Sequence, residues 1–347
     1  MTGLLVSVLG GVLSAVSGWL AVPWGDWAAA GTGPVTAPQP VPDTTPHSFS
    51  VDLRFATPAA EEIMSMQTRP PVHPDPGTAL YASAGPIPTV TTTQMTEVDR
   101  AMVEDYGISL LQMMENAGRA LAGQARRQLG GSVMGQRITV LCGAGHNGGG
   151  GLVAARRLQD WGAQVEVTLV RHPDGYHGVP QHQLRILQAL GRSVRGGGLP
   201  SSGAALIIDA LIGYGLNSAP RGHAADLLHW ANHQAAPILA LDTPSGIEVS
   251  EGQVFQPAIH AAATLTLALP KRGFLNPEVQ PLLGALLLAD IGVPPELYLR
   301  MGLKVPGIFA TQETVPLSWH QDSGHPGVAE TPAHQDDPAP LNSTRTA

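Results

Sequence analysis

Cysteine is almost missing from this chain: Cys142 is the one thiol in 347 residues. That excludes an internal disulfide framework and a cysteine-based zinc cluster, and it points to a reducing compartment, so a cytoplasmic protein is expected. Charge is sparse as well, at 13% of residues, and 19 Lys and Arg against 27 Asp and Glu leave a formal net charge of -8. Such a balance gives no general attraction to phosphate backbones, so no nucleic acid partner is expected. Lys and Arg do not occur at all before Arg54. Residues 1–25 are uncharged, and Leu4 to Val22 is apolar enough to be weighed as a signal or membrane anchor. The missing basic flank argues against both. A membrane attachment through residues 1–25, a weakly structured extension and a true start near Met64 or Met66 stay open as readings.

Glycine (41) and proline (31) are abundant instead, and the prolines crowd into both ends. The chain divides accordingly into an apolar segment (1–30), a Pro-rich linker (31–88), one folded domain (89–303) and a mostly disordered tail (304–347). Pro316, Pro326, Pro332, Pro338 and Pro340 break any regular element in the tail. Its histidines, His320, His325 and His334, could bind a metal, but a solvated tail is the simpler reading. The sequon at Asn342 to Thr344 matters only on export.

The central region alternates strand and helix signals. Helices are expected over Gln94–Tyr106 and from Ser109, a candidate cap, to about Leu129, with Leu110, Met113, Met114, Ala117 and Leu121 at helical spacing. Apolar runs predict strands at Ile138–Cys142, Val165–Val170, Ala205–Leu211, Pro237–Leu241, Thr264–Leu269 and Ala285–Ala289. Helical segments at Gly151–Trp161, Val179–Leu190 and Ala224–His233 separate most of them. Strands apolar on both faces with helical crossovers predict an α/β fold, a three-layer α/β/α Rossmann-like sandwich with a mostly parallel central sheet. Ligands then bind beyond the carboxyl ends of the strands.

Three strand ends carry chemistry. Val140 to Leu152 is a glycine-rich strand-to-helix turn, in which free N–H groups and the helix dipole favour a phosphate. G-x-G-x-x-G matches at Gly143, Gly145 and Gly148, but no acidic residue waits about twenty residues on. Arg171 and His172 follow the next strand instead, so ordinary NAD dehydrogenase binding is not supported. Asp209 lies in an otherwise apolar strand and requires a cation or several donors; capping of loop amides is the plainer alternative. Asp242 ends the strand Ala240–Leu241 and is followed by Pro244, Ser245 and Gly246. It could act as a general acid or base with its pKa raised by burial, or simply cap the turn.

Read together, these segments resemble the NAD(P)HX epimerase family, the N-terminal module of the bifunctional nicotinamide-nucleotide repair proteins. The resemblance is carried by Thr93 to Asp99, Met114 to Arg119, the turn Cys142 to Gly151, Asp209 to Gly215, Leu241 to Gly246 and Leu269 to Gly273, in family order. It implies an isomerase of metabolite repair that interconverts the R and S hydrates of NADH or NADPH. It further implies that His146, Asn147, Gly148, Gly149, Gly150, Gly213, Tyr214, Gly215, Leu216, Asn217, Ser218 and Ala219 line the substrate site. Asp242 would contact the damaged ring as the catalytic acid and base, and Asn147, Asp209 and Ser245 would bind a potassium ion, which suits their oxygen donors. Glu115, Asn116 and Lys271 match in supporting roles. A homodimer and a separate NAD(P)HX dehydratase as pathway partner are also implied, since no dehydratase region follows in these 347 residues.

Two positions depart from the family pattern. Its turn reads Asn-Asn-Gly-Gly-Asp-Gly, whereas this chain has His146-Asn147-Gly148-Gly149-Gly150-Gly151. An aspartate is thereby lost at Gly150 and an amide becomes an imidazole at His146. A catalytically silent nucleotide-binding or protein-interaction scaffold of the same fold is the alternative this leaves.

Overall fold

The computed structural model describes residues 79–320. The apolar segment 1–30, most of the linker, and residues 321–347 with His325, His334 and the sequon lie outside the described residues.

The described residues begin with β1 (Ala79–Ala82) and β2 (Gly85–Ile87), an antiparallel pair. The linker therefore ends sooner than its proline content suggests. Leu80 and Ile87 are buried while Pro86 faces out on a strand of three residues, too short to show as a period. Helices α1 (Thr92–Glu104) and α2 (Leu110–Gln128) follow, each opened by a reciprocal capping box, Thr91 with Gln94 and Ser109 with Gln112. Ser109 is thus the cap its position predicted.

The doubly wound core comes next. β3 (Arg137–Cys142), β4 (Gln164–Leu169), β5 (Val194–Gly196), β6 (Leu206–Ala210), β7 (Ile238–Leu241), β8 (Ala263–Leu267), β9 (Ala285–Ala289) and β10 (Thr314–Pro316) form one sheet. Their order is β10-β9-β8-β7-β6-β3-β4-β5, parallel except for β10, which pairs antiparallel at the edge. Helices α3 (His146–Asp160), α4 (Gly178–Ala189), α5 (His223–Asn232) and the short α6 (Gln280–Leu283) and α7 (Pro295–Arg300) complete it. β6 and β7 are buried at every residue, so apolar side chains are needed on both faces. No described helix is long and apolar enough to cross a membrane.

The tail also contributes structure. β11 (Ser318–His320) pairs antiparallel with β1, aligning Ala79 with His320, and Val315 and Leu317 are buried. The expectation of a mostly disordered segment from 304 fails for residues 304–320, because Pro316 sits on the exposed side of an edge strand where its missing N–H does no harm. His320 is part of this strand and packs edge-on against Tyr81.

The chain order places β3 and β6 side by side, with β4 and β5 wound to one side and β7 to β9 to the other. Cys142 and Ala210 end those two strands in register. The crevice beyond them is the switch point of the sheet, where such folds bind ligands.

Candidate active site

The glycine turn is built by close approach. A Cβ on Gly143 would lie 1.8 Å from the Leu211 carbonyl oxygen, and one on Gly148 would lie 1.8 Å from that of Gly143. No other residue fits at either place. The run Gly148–Gly151 is not a loop, as expected from its composition; it forms part of α3, which starts at His146 rather than Gly151. Composition misled because a helix free to pack on all sides would avoid glycine, whereas this one is pressed against β3, β6 and α2. Gly149 and Gly150 differ from Gly143 and Gly148, since a Cβ there would press on a flexible side chain rather than on backbone, Met114 Sδ at 2.5 Å and Leu241 Cδ2 at 2.9 Å.

On the α1 and α2 side of this turn lies a largely apolar cavity of about 410 Å³. Met95, Met113, Met114, Leu241 and Leu267 supply apolar wall, and Asp99, His146, Asn147, Tyr214 and Asp242 supply the polar groups. Asp242 follows β7 with φ at 67°, in the left-handed region, which costs about 1 kcal/mol for a residue with a Cβ. Its backbone N–H nevertheless donates to Leu265 O at 2.8 Å. That conformation turns its carboxylate to three donors: Lys271 Nζ at 2.7 Å, Tyr214 N–H at 3.2 Å and Leu267 N–H at 3.3 Å. Lys271 is fully buried and also donates to Thr266 Oγ1, Leu267 O and Leu269 O at 2.9–3.1 Å. Its oxygen cage and the aspartate together compensate a charge that would otherwise not survive there.

Tyr214 joins Asp242 to a second carboxylate. While its backbone N–H reaches Asp242, its hydroxyl donates to Asp99 Oδ2 on α1 at 2.5 Å. Burial pushes the Asp99 carboxyl above the ordinary carboxylate range, against the opposing pull of the Tyr214 hydrogen bond. Burial also raises the Tyr214 phenol, with Asp99 adding to it, so the proton stays on the tyrosine.

Asp209 sits behind this wall, fully buried in β6. It accepts from Ser245 N–H at 2.8 Å, Ser245 Oγ at 2.7 Å and Leu211 N–H at 3.1 Å. Those donors do not offset burial, which pushes its pKa up to about 6. No side-chain cation pairs with it among the described residues. Ser245 Oγ in turn accepts from Ile212 N–H at 2.9 Å, so Asp209 and Ser245 tie β6, β7 and the loop after β6 together. Asn147 reaches the same region by donating from Nδ2 to Leu241 O at 3.2 Å.

Residues 110–273 match the family described as YjeF-related protein N-terminus. The NAD(P)H-hydrate epimerase of Dehalogenimonas lykanthroporepellens is 43% identical over 219 residues, covering 63% of this chain and 87% of that protein. This chain belongs to the NAD(P)H-hydrate epimerase family. The bifunctional NAD(P)H-hydrate repair enzyme Nnr of Moorella thermoacetica is 34% identical over 248 residues. The match there covers 69% of this chain but 47% of the longer relative. In fold, the chain is similar to the crystal structure of the yeast protein YNL200c, with a TM-score of 0.53, 21% identity, and coverage of 66% of this chain and all of that one.

Among the positions singled out from sequence, His146, Asn147, Gly150, Gly213, Tyr214, Gly215 and Asp242 line the 410 Å³ cavity. Gly148 and Gly149 lie behind it, packed on Gly143 and Met114. Leu216, Asn217, Ser218 and Ala219 continue the loop but do not line this cavity. Glu115 proves to be a brace, accepting from Arg156, Arg157 and Gln183 and so joining α2 to α3 and α4. Asn116 holds Ile291 O. The sequence assigns Asp99 no role, because helical spacing alone cannot show that Tyr214 arrives from 115 residues away.

Proposed function

We propose that this chain interconverts the R and S forms of NAD(P)HX, the hydrated forms of NADH and NADPH. The observation that carries the reading is the pair of carboxylates, Asp242 and Asp99, facing one apolar cavity with Tyr214 between them. Exchange of the ring hydroxyl requires one group to protonate it as it leaves and another to accept a proton from the returning water. The two carboxylates stand in different surroundings, and such a pair separates naturally into acid and base. Asp242, ion-paired with Lys271, takes the base role. Asp99, without a cation and with its protonated form favoured by burial, is the acid. Apolar walls surround these polar groups, and the ring would lie within reach of both carboxylates.

The loss of aspartate at Gly150 does not weigh against this chemistry, since neither carboxylate comes from that position. Asn147, Asp209 and Ser245 would hold a potassium ion: Asp209 is a buried carboxylate whose charge no described side chain balances, and an amide oxygen and a hydroxyl complete a hard donor set. A bound monovalent cation would supply the missing charge and order the loop that presents Tyr214. The bifunctional relatives support a separate NAD(P)HX dehydratase as the pathway partner.

The test follows R-NADHX conversion to the S form by chromatography, with wild type, Asp242→Asn and Asp99→Asn. Wild type is expected to exceed the spontaneous rate, and each variant to lose about 10²-fold or more. Equal rates with and without protein would overturn the reading.

A further inference from the structure

A second cavity, of about 550 Å³, adjoins the first and shares Gly145, Leu211 and Ile212 with it. It lies on the other side of the glycine turn, and its wall includes Arg171, Arg221 and His223 but no Asp or Glu. Most described arginines are spoken for: Arg100, Arg119, Arg156, Arg157, Arg192, Arg195, Arg272 and Arg300 all pair with carboxylates. Arg171 and Arg221 have neither an ion pair nor a hydrogen bond among the described residues. The nearest acid along the chain, Asp174, pairs with His172. His223 Nε2 is shielded from solvent and has no partner, an orphaned polar atom in the same wall. The cavity also meets the starts of α3 and α5, neither of which has a side-chain cap, so free N–H groups and positive helix ends point at it.

We infer that this cavity is a two-part phosphate subsite that makes the protein selective for the 2′-phosphorylated substrate, NADPHX over NADHX. The inference rests on the reading above for which molecule occupies the first cavity. With the damaged ring between Asp242 and Asp99, the dinucleotide crosses the switch point at Gly145, Leu211 and Ile212. Its pyrophosphate meets the starts of α3 and α5 with Arg221, and its adenosine ribose lies over the end of β4. That is the position at which doubly wound sheets read the 2′ substituent, an acid there selecting the hydroxyl and an arginine admitting a phosphate. This chain has Arg171 two residues beyond the end of β4 and no acid. A guanidinium can hold the doubly charged phosphate by two parallel hydrogen bonds.

Titration calorimetry on the full chain separates this inference from the proposed reaction, because its probes lack the damaged ring. 2′-Phospho-ADP-ribose is expected to bind at least tenfold more tightly than ADP-ribose. Arg171→Ala should remove that difference while leaving ADP-ribose affinity within about twofold, and Arg221→Ala should weaken both probes together. Both side chains are exposed, so neither change threatens folding. Equal affinity of the two probes for wild type, or a preference that survives Arg171→Ala, would overturn the inference. In turnover, the kcat/KM ratio of NADPHX to NADHX should fall tenfold in Arg171→Ala through KM, with kcat unchanged. If neither hydrate is epimerised while the binding preference stands, the proposed reaction fails and the subsite does not.

Discussion

Replacing Lys271 by Met tests whether the buried pair at the site is held by mutual charge or merely by packing. Lys271 has no exposed side-chain surface and Asp242 only 5%, at 2.7 Å separation. Removing one member of such a pair strands the other in a medium that solvates it poorly, at about 3 to 5 kcal/mol. Asp242 would keep two backbone donors, from Tyr214 and Leu267, which places Lys271→Met near the lower figure. Adding Asp242→Asn removes the stranded charge, although its amide oxygen keeps only one of those N–H groups, because they reach different carboxylate oxygens, Oδ2 and Oδ1. The double variant should therefore be more stable than Lys271→Met alone, losing about 1 to 2 kcal/mol from wild type against about 3 for the single change. Urea unfolding near neutral pH, with unchanged dependence on denaturant, measures all three. A loss below about 1 kcal/mol for Lys271→Met, or a double variant no more stable than Lys271→Met, would refute the argument from burial and charge.

Other outcomes follow from the same geometry. If Asp99 supplies the proton, epimerisation should fall as pH rises through its elevated pKa, and Asp99→Asn should flatten that limb; an unchanged profile would assign the acid elsewhere. Asp209 stands at about 6 when folded against an ordinary 3.8, a difference worth about 3 kcal/mol at about 1.4 per pH unit. Because the folded value is the higher one, that stability is fully present below pH 3.8 and lost as pH rises through about 6. Thermal melts of Asp209→Asn in potassium-free buffer should lose this slope, and added potassium chloride should stabilise wild type more than the variant at pH 8. Gly143→Ala, whose Cβ would strike a backbone oxygen, should cost about 3 kcal/mol or more. Gly150→Ala should change stability by no more than about 1 kcal/mol, since the Leu241 side chain can move and alanine favours the helix; calorimetric melting temperatures of the two distinguish them.

Much of this architecture was legible from short apolar runs, because β3, β6 and β7 are buried on both faces and have no polar alternation to confuse. The strand-end aspartates were legible for the same reason: a lone carboxylate in an apolar run has few structural excuses. Three-residue strands such as β2, β10 and β11 carry no measurable period, and the prolines of β2 and β10 read as breaks although edge strands tolerate them. The glycines of α3 were misread because local propensity says nothing of how closely β3, β6 and α2 would press. Asp99 became informative only when the fold brought Tyr214 to it, and Arg171, which in the sequence spoke only against ordinary NAD binding, when the fold set it in a cavity wall.

The pairing of β1 with β11 has a consequence for how this domain can be rearranged. Ala79 and His320 face each other across that ladder, so both ends of the described region leave from one spot. A circular permutant that joins residues 79 and 320 by a short linker and opens the chain in the exposed Gly197–Gly198 turn should keep the same fold. Equally, a cargo attached at either end starts from the same place, so the order in which two modules are fused matters little to the geometry between them.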